Sequence, residues 1–275
     1  MLKLFSYWHQ GFANAPAPVQ ICVQSWNSSL HGVELIALDA RSCTQWVAEP
    51  ELSPVTLNRL GLAHRSDMLR TQLLIKHGGV WADATVYMNT PIVDWVPDLL
   101  EPSGLFLFHR PGRDREISNW FIAAQPNHPI LVAVYERLLD FWSAVEFRNF
   151  GRPNSPLEQN FFRLINRNRW APRLWTWTWF NRMTRIFPYM IYHYIFQDVV
   201  SRDRKLKRLW QLTPKISADG PHALARLGLT SPVTSEARRL IEHPVAPVYK
   251  LKWQIKGDDV PEGSVLDTLR SAIRS

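Results

Sequence analysis

The residues best suited to chemistry stand together in "HRSDMLRTQLLIKHGGVWADAT", which runs from His64 to Thr85. Asp67 and Arg70 are three apart on a segment with helical spacing, so one face presents an acceptor beside a fork of donors while Leu69, Leu73 and Leu74 pack on a sheet. Such a pair is either a solvated ion pair or a grip on a polar ligand. Gly78 and Gly79 end the helix and permit close backbone approach. A short apolar strand, "VWA", then closes on Asp83, with Thr85 two residues beyond. A carboxylate in that place is either a turn residue or a ligand.

The surrounding elements must hold these groups. Lys3 to His9 reads as a first strand, "PVQICVQSWNSSL" as a helix ending near His31 and Gly32, and "VELIALD" as a second strand closing on Asp39. "SPVTLNRLG" is a short helix, Gly104 to Phe108 and Trp120 to Ala124 are further strands, and "HPILVAVYERLLDFWSAV" returns to helical spacing. Strands alternating with helices predict an α/β fold with a largely parallel, helix-flanked sheet, whose ligands collect at the carboxyl ends of the strands. A polar set, His9, Asp39, Asp67, Arg70 and Asp83, stands at the ends of elements. No GxGxxG follows a strand and no GxxxxGK[ST] occurs, which disfavours a dinucleotide enzyme or a P-loop ATPase. Residues 1–150 form the expected α/β core, with a break in organisation from Arg148 to Pro156. Residues 151–275 read as a more helical region, rich in Arg and aromatics, that completes the same domain.

Composition sets outer limits. With 275 residues, 46% hydrophobic and 12% aromatic, the chain can bury a large core. The net charge of +8 calls for an anionic partner. No nucleic-acid module is recognised, so nucleic acid is not an expected partner. No run reaches the roughly 18 apolar residues of a membrane span, and "MLKLFSYWHQ" lacks the features of a signal peptide, so a cytoplasmic location is expected. Cys22 and Cys43 have no metal-ligand spacing and are expected to be thiols.

The linked pattern Ser-Asp-x-x-Arg followed by Gly-Gly-x-Trp-x-Asp resembles the core of the capsular polysaccharide synthesis proteins and of the related glycosyltransferase family 32. Weaker similarity runs through "FSYWHQG", "ISNWFIAAQPNHPIL" and "HPVAPVYKLKW". The resemblance implies a GT-A-like nucleotide-sugar-binding fold and a retaining transfer of a sugar from a nucleotide-diphosphate donor to a bacterial capsular, surface or lipid-linked glycan. A non-catalytic GT-A-like nucleotide- or glycan-binding protein is the alternative. It further implies that Asp67 and Arg70 hold the donor sugar and phosphates, and that Asp83 is the first carboxylate of a DXD-type motif near ribose and metal. Thr85 stands where the second, metal-binding carboxylate is usual, so a divalent Mn²⁺ or Mg²⁺ cofactor would be weakly held, mainly by Asp83 and the diphosphate itself. Lys250 matches a lysine that meets the diphosphate and could replace part of the metal's charge; its other reading is an ordinary edge-strand lysine. Tyr249 stands where relatives often carry a histidine, and His243 is a late candidate ligand or a surface residue. His9 and Gln10 are candidates to contact the base, Asp39 the ribose or base, and Asn119 and Trp120 the donor or acceptor sugar.

Asn166 to Phe196 carries four tryptophans, at 170, 175, 177 and 179, among Arg167, Arg169, Arg173, Arg182 and Arg185. Two readings stay open for it. The segment either lies on the inner membrane surface, near a lipid-linked acceptor, or packs a helical subdomain onto the sheet with its arginines reaching water.

Overall fold

The computed structural model describes residues 1–27, 30–148, 153–167, 171–255 and 260–274. Its first half alternates as expected: Leu2–Tyr7 (β1), Ala17–Trp26 (α1), Val33–Leu38 (β2), Pro54–Arg59 (α2), Leu62–His77 (α3), Gly79–Ala82 (β3), Val86–Met88 (β4), Val96–Leu100 (α4), Leu105–Gly112 (β5), Arg115–Ala124 (β6) and Pro129–Ala144 (α5). Helices then dominate: Pro156–Ile165 (α6), Thr178–Thr184 (α7), Ile191–Arg202 (α8), Arg204–Leu212 (α9), Asp219–Arg226 (α10) and Ser235–Glu242 (α11), followed by Val248–Lys250 (β7) and Val265–Arg274 (α12).

Five strands form the main sheet in the order β2-β1-β3-β6-β5. β1 pairs in parallel with β2 and β3, and β6 runs antiparallel between β3 and β5, so four of the five strands point the same way. Period-two alternation divides the apolar residues. Phe5, Trp81, Leu107 and Ile122 join the core shared with α3, α5 and α8. Leu4, Val80, Phe106 and Phe121 join the core on the face of α1 and α4. A third core, built from α10 to α12, also takes in Tyr87 and Tyr249.

Two glycines set the entry into β3. Gly78 and Gly79 have φ of 63° and 94°, in the left-handed region. A Cβ at Gly79 would lie 2.5 Å from the Lys3 carbonyl oxygen, and one at Gly78 would lie 2.6 Å from Pro126 Cδ. The chain thus leaves α3 and enters the centre of the sheet in a turn too tight for a side chain.

Some expectations change. β1 ends at Tyr7, which leaves His9 and Gln10 in the turn beyond it. The two short strands expected near 104 and 120 are longer arms of one hairpin, reaching Gly112 and starting at Arg115. Charged residues and register shifts at Leu107, His109 and Gly112 hide that extension from hydrophobic patterning. Part of the expected break at Arg148 to Pro156, residues 149–152, lies outside the described residues, as do Arg169 and Trp170. Trp175 is fully buried and donates from Nε1 to Asn166 Oδ1 at 2.9 Å, so it belongs to the core and not to an interfacial face. Both cysteines are free thiols, and burial pushes the Cys22 thiol far above its ordinary pKa.

Candidate active site

Helix α3 and strand β3 bring the three motif residues together at the carboxyl edge of the sheet. Asp67 and Arg70 lie on the buried face of α3, and Asp83 follows β3, its backbone N–H donating to Trp120 O at 2.8 Å. Arg70 Nη1 stands 3.3 Å from Asp83 Oδ1 and Nη2 stands 3.5 Å from Asp67 Oδ1. The same guanidinium donates to the Asn119 carbonyl, to Ser66 O and to Ser66 Oγ, and its carbon lies 4.9 Å from the Trp81 ring centroid. Arg70 is therefore locked by several acceptors and a ring face, as a planar fork can be and an ammonium cannot. Of the two readings of the Asp67–Arg70 pair, a solvated surface pair is ruled out, since both residues are buried.

Asp83 is a hub. Its Oδ1 accepts from Trp81 Nε1 at 3.0 Å and its Oδ2 from Lys250 Nζ at 3.0 Å. Burial works to raise its pKa, and the charges of Lys250 and Arg70 outweigh that, holding the carboxyl below its ordinary value. Lys250 Nζ also donates to Thr85 Oγ1. That contact exists because β7 pairs antiparallel with β4, placing Lys250 opposite Val86. An ordinary edge-strand lysine would point to water; this one bridges residues 83 and 85.

These groups line a cleft of about 460 Å³. Its walls include Asp67, Arg70, Asp83, Asn119, Trp120 and Lys250 from the expected set, and Arg115, Tyr189, His193, His222, Arg226 and Lys252 from outside it. Asn119 donates from Nδ2 to Asp67 Oδ1 at 2.7 Å. Trp120 stacks on Phe108 at 4.9 Å and meets the His222 ring edge-on at 5.7 Å. Five Lys or Arg side chains face two carboxylates here, so the cleft is net cationic.

The remaining candidates lie elsewhere. His9 lines a second cavity of about 320 Å³, where its Nδ1 is 2.8 Å from Tyr7 Oη, and Gln10 is exposed. Asp39 Oδ1 accepts from Arg41 N, Ser42 N and Ser42 Oγ at 2.8–2.9 Å, so that oxygen is taken by its own turn. Tyr249 is fully buried in the third core and donates to Leu240 O at 2.7 Å. His243 is exposed at the end of α11 and lines neither cavity.

The sequence profile of capsular polysaccharide synthesis proteins matches residues 2–148, more than half of the chain. The chain belongs to that family. The match covers α3, the double glycine and Asp83, and stops short of Lys250. Two curated relatives are also similar. A protein of Saccharomyces cerevisiae named as a glycosyltransferase, HOC1, is 29% identical over 87 residues, 27% of this chain and 22% of its own length. The O-glycosyltransferase braB of Annulohypoxylon truncatum is 25% identical over 159 residues, 51% of this chain and 37% of its own length. The chain thus aligns with well under half of either relative. Among solved structures, the PaToxG glycosyltransferase superposes with a TM-score of 0.39 at 14% identity, over 88% of this chain and 84% of that one.

In this family member, Arg115, His193 and His222 complete the cleft without a motif of their own. Arg115 comes from the unexpected start of β6, and His193 sits in the aromatic run of α8. Burial, then Arg115 and Arg70, push the His193 pKa down to about 3. Burial, then Lys250 and Arg226, push that of His222 down to about 4. Both imidazoles are neutral near pH 7.

Proposed function

We propose that this protein is a glycosyltransferase of GT-A-like architecture that moves a sugar from a nucleotide-diphosphate donor to a glycan or lipid-linked glycan, such as a bacterial capsular or other surface polysaccharide. The observation that carries the reading is the cationic cleft at the carboxyl edge of the sheet, where Arg70 and Lys250 converge on Asp83. Breaking the bond between sugar carbon and phosphate oxygen leaves charge on a diphosphate, and fixed cations there stabilise that charge as it develops. Asp67 and Asn119, joined side by side, are placed to hold sugar hydroxyls. The base fits the second cavity, between His9 and α3; Ser66 on its wall accepts from Arg70 on the wall of the main cleft.

Retention of the anomeric configuration suits the same geometry. Transfer with inversion needs a general base to deprotonate the acceptor hydroxyl. Among the described residues lining the cleft, Asp67 and Asp83 are the carboxylates and both are paired with Arg70, while His193 and His222 are weak bases at pKa of about 3 and 4. The departing phosphate oxygen is then the natural acceptor for that proton.

Purified protein incubated with a panel of sugar nucleotides should release nucleoside diphosphate from at least one. Asp83→Asn and Arg70→Lys should each lower that rate by roughly 10²–10³-fold, the cost of losing one preorganised electrostatic contact. Near wild-type turnover in either folded variant would remove that residue from the site. Donor binding without turnover on any acceptor would favour the non-catalytic alternative.

A further inference from the structure

The family resemblance carries a divalent cation with it, and the residues present do not fit one. A hard dication such as Mn²⁺ or Mg²⁺ needs several oxygen ligands, preferably anionic, arranged around an open position. Here the ligand atoms of the DXD-type motif are already bridged. Asp83 Oδ2 accepts from Lys250 Nζ at 3.0 Å, and Thr85 Oγ1 accepts from the same ammonium. Asp83 Oδ1 is shared by Trp81 Nε1 at 3.0 Å and Arg70 Nη1 at 3.3 Å. A dication placed between residues 83 and 85 would displace one positive charge and sit against another. Tyr249, the neighbour of Lys250, spends its hydroxyl in the opposite core. Among the described residues, no three His, Cys, Asp or Glu side chains gather where they could hold a metal ion.

We propose that Lys250 is the resident cation of this site, and that the protein binds and releases its diphosphate without a divalent metal. The inference rests on the donor reading above and specifies how that site meets the phosphates. Its basis is positional. β4 begins three residues after Asp83, and its pairing with β7 fixes the Lys250 backbone opposite Val86, so the ammonium reaches residues 83 and 85 from a rigid strand. The Lys250 side chain is 17% exposed, with a margin left open toward the cleft it lines. As the bond between the sugar's anomeric carbon and the β-phosphate oxygen breaks, its electron pair passes to that oxygen. Lys250 and Arg70 balance the added charge, and the acceptor hydroxyl's proton goes to the same phosphate as the new glycosidic bond forms. No co-reactant is needed. A lysine supplies this charge as a point, suited to a phosphate whose oxygens move during bond cleavage.

The test is calorimetric titration of UDP, GDP and inorganic pyrophosphate into the full chain, first with EDTA and then with excess Mn²⁺. At least one nucleoside diphosphate should bind in EDTA, with a dissociation constant within about threefold of that in Mn²⁺, because a site that recruits no dication has no metal to lose. Lys250→Ala should weaken binding in EDTA by roughly tenfold or more, as expected for loss of a charge-assisted contact. Binding that appears only with Mn²⁺ would overturn this inference and leave the donor reading standing. Binding under neither condition would remove the donor reading, and this inference with it. If Lys250→Ala does not fold, the comparison of EDTA with Mn²⁺ on the wild-type protein still decides.

Discussion

His193 and His222 show how the cleft treats its titratable groups. His193 is 6% exposed and its Nδ1 has no hydrogen-bond partner, a costly arrangement that only a neutral ring tolerates beside Arg115 and Arg70. In the unfolded chain both imidazoles titrate near 6.5, and in the fold their pKa values fall to about 3 and about 4. His128, lowered by its own burial, acts in the same direction. Between pH 6.5 and 4 the unfolded chain therefore binds more protons than the folded one, and stability must rise with pH across that window. Asp83 acts lower still: its stabilisation is complete above the ordinary carboxyl value of 3.8 and is lost as pH falls through its depressed folded value. Thermal melts from pH 7.5 to 4.5 should show a steady fall in Tm on acidification, and His193→Gln should flatten it. A flat wild-type profile would mean that these rings are not held neutral. Asp67, Arg70 and Asp83 were legible in the sequence because one short stretch carries all three at spacings that helix and strand geometry convert into proximity. Arg115, His193 and His222 were not, since each arrives alone from a different element and a lone His or Arg has no spacing to read. Lys250 was legible only through family resemblance, because a contact across more than 160 residues rests on a strand pairing that local patterning does not encode.

Among the elements, the α3–β3 junction is the one on which the site depends most. It sets the direction in which Asp83 leaves the sheet, and it does so through two glycines at positive φ packed against backbone and proline atoms. Gly79→Ala would place a methyl 2.5 Å from the Lys3 carbonyl oxygen in a conformation that alanine resists. The expected cost is roughly 2–4 kcal/mol, combining backbone strain with overpacking against an atom that cannot move aside. Gly61→Ala is the control: its φ is −64° and a methyl there meets nothing within 4 Å, so the change should cost under about 1 kcal/mol. Urea unfolding of the two variants measures the difference, and equal midpoints would show that the junction relaxes. The double glycine was readable as a helix stop, and the α/β alternation as a mostly parallel sheet, because both follow from residue types in sequence. The full length of the β5–β6 hairpin was not readable. Its outer half, "HRPGRDRE", is charged, brings Arg115 to the cleft, and so departs from the alternation that marks a buried strand.

For the whole molecule, the proposed transfer would make access to an acceptor depend on how the helical second half meets its surroundings. Among the described residues no helix is long and apolar enough to cross a membrane. The aromatic stretch divides into a buried part and an exposed part. Trp175 and Phe180 are buried in the main core, whereas Trp177, Trp179 and Met183 are 40%, 54% and 76% exposed, with the two indole rings 5.8 Å apart. Trp179 and Met183 are one helical turn apart on α7, so they share a face, and the exposed Arg182 lies on the same short helix. Exposed tryptophans near an arginine, on a chain with net charge +8, are the side chains that partition to the interface of an anionic bilayer. A lipid-linked acceptor would then be met where it resides. The variants that test this are Trp177→Ser and Trp179→Ser, since replacing the buried Trp175 would damage the core. In co-sedimentation, the wild-type protein should bind vesicles containing anionic lipid better than purely zwitterionic ones. Binding should weaken as salt rises, because charges facing water are screened within about 10 Å at 0.1 M. The double variant should lose most of it while keeping its Tm. Equal and negligible binding to both vesicle types would remove the membrane from the account, and would direct the search for an acceptor to soluble glycans.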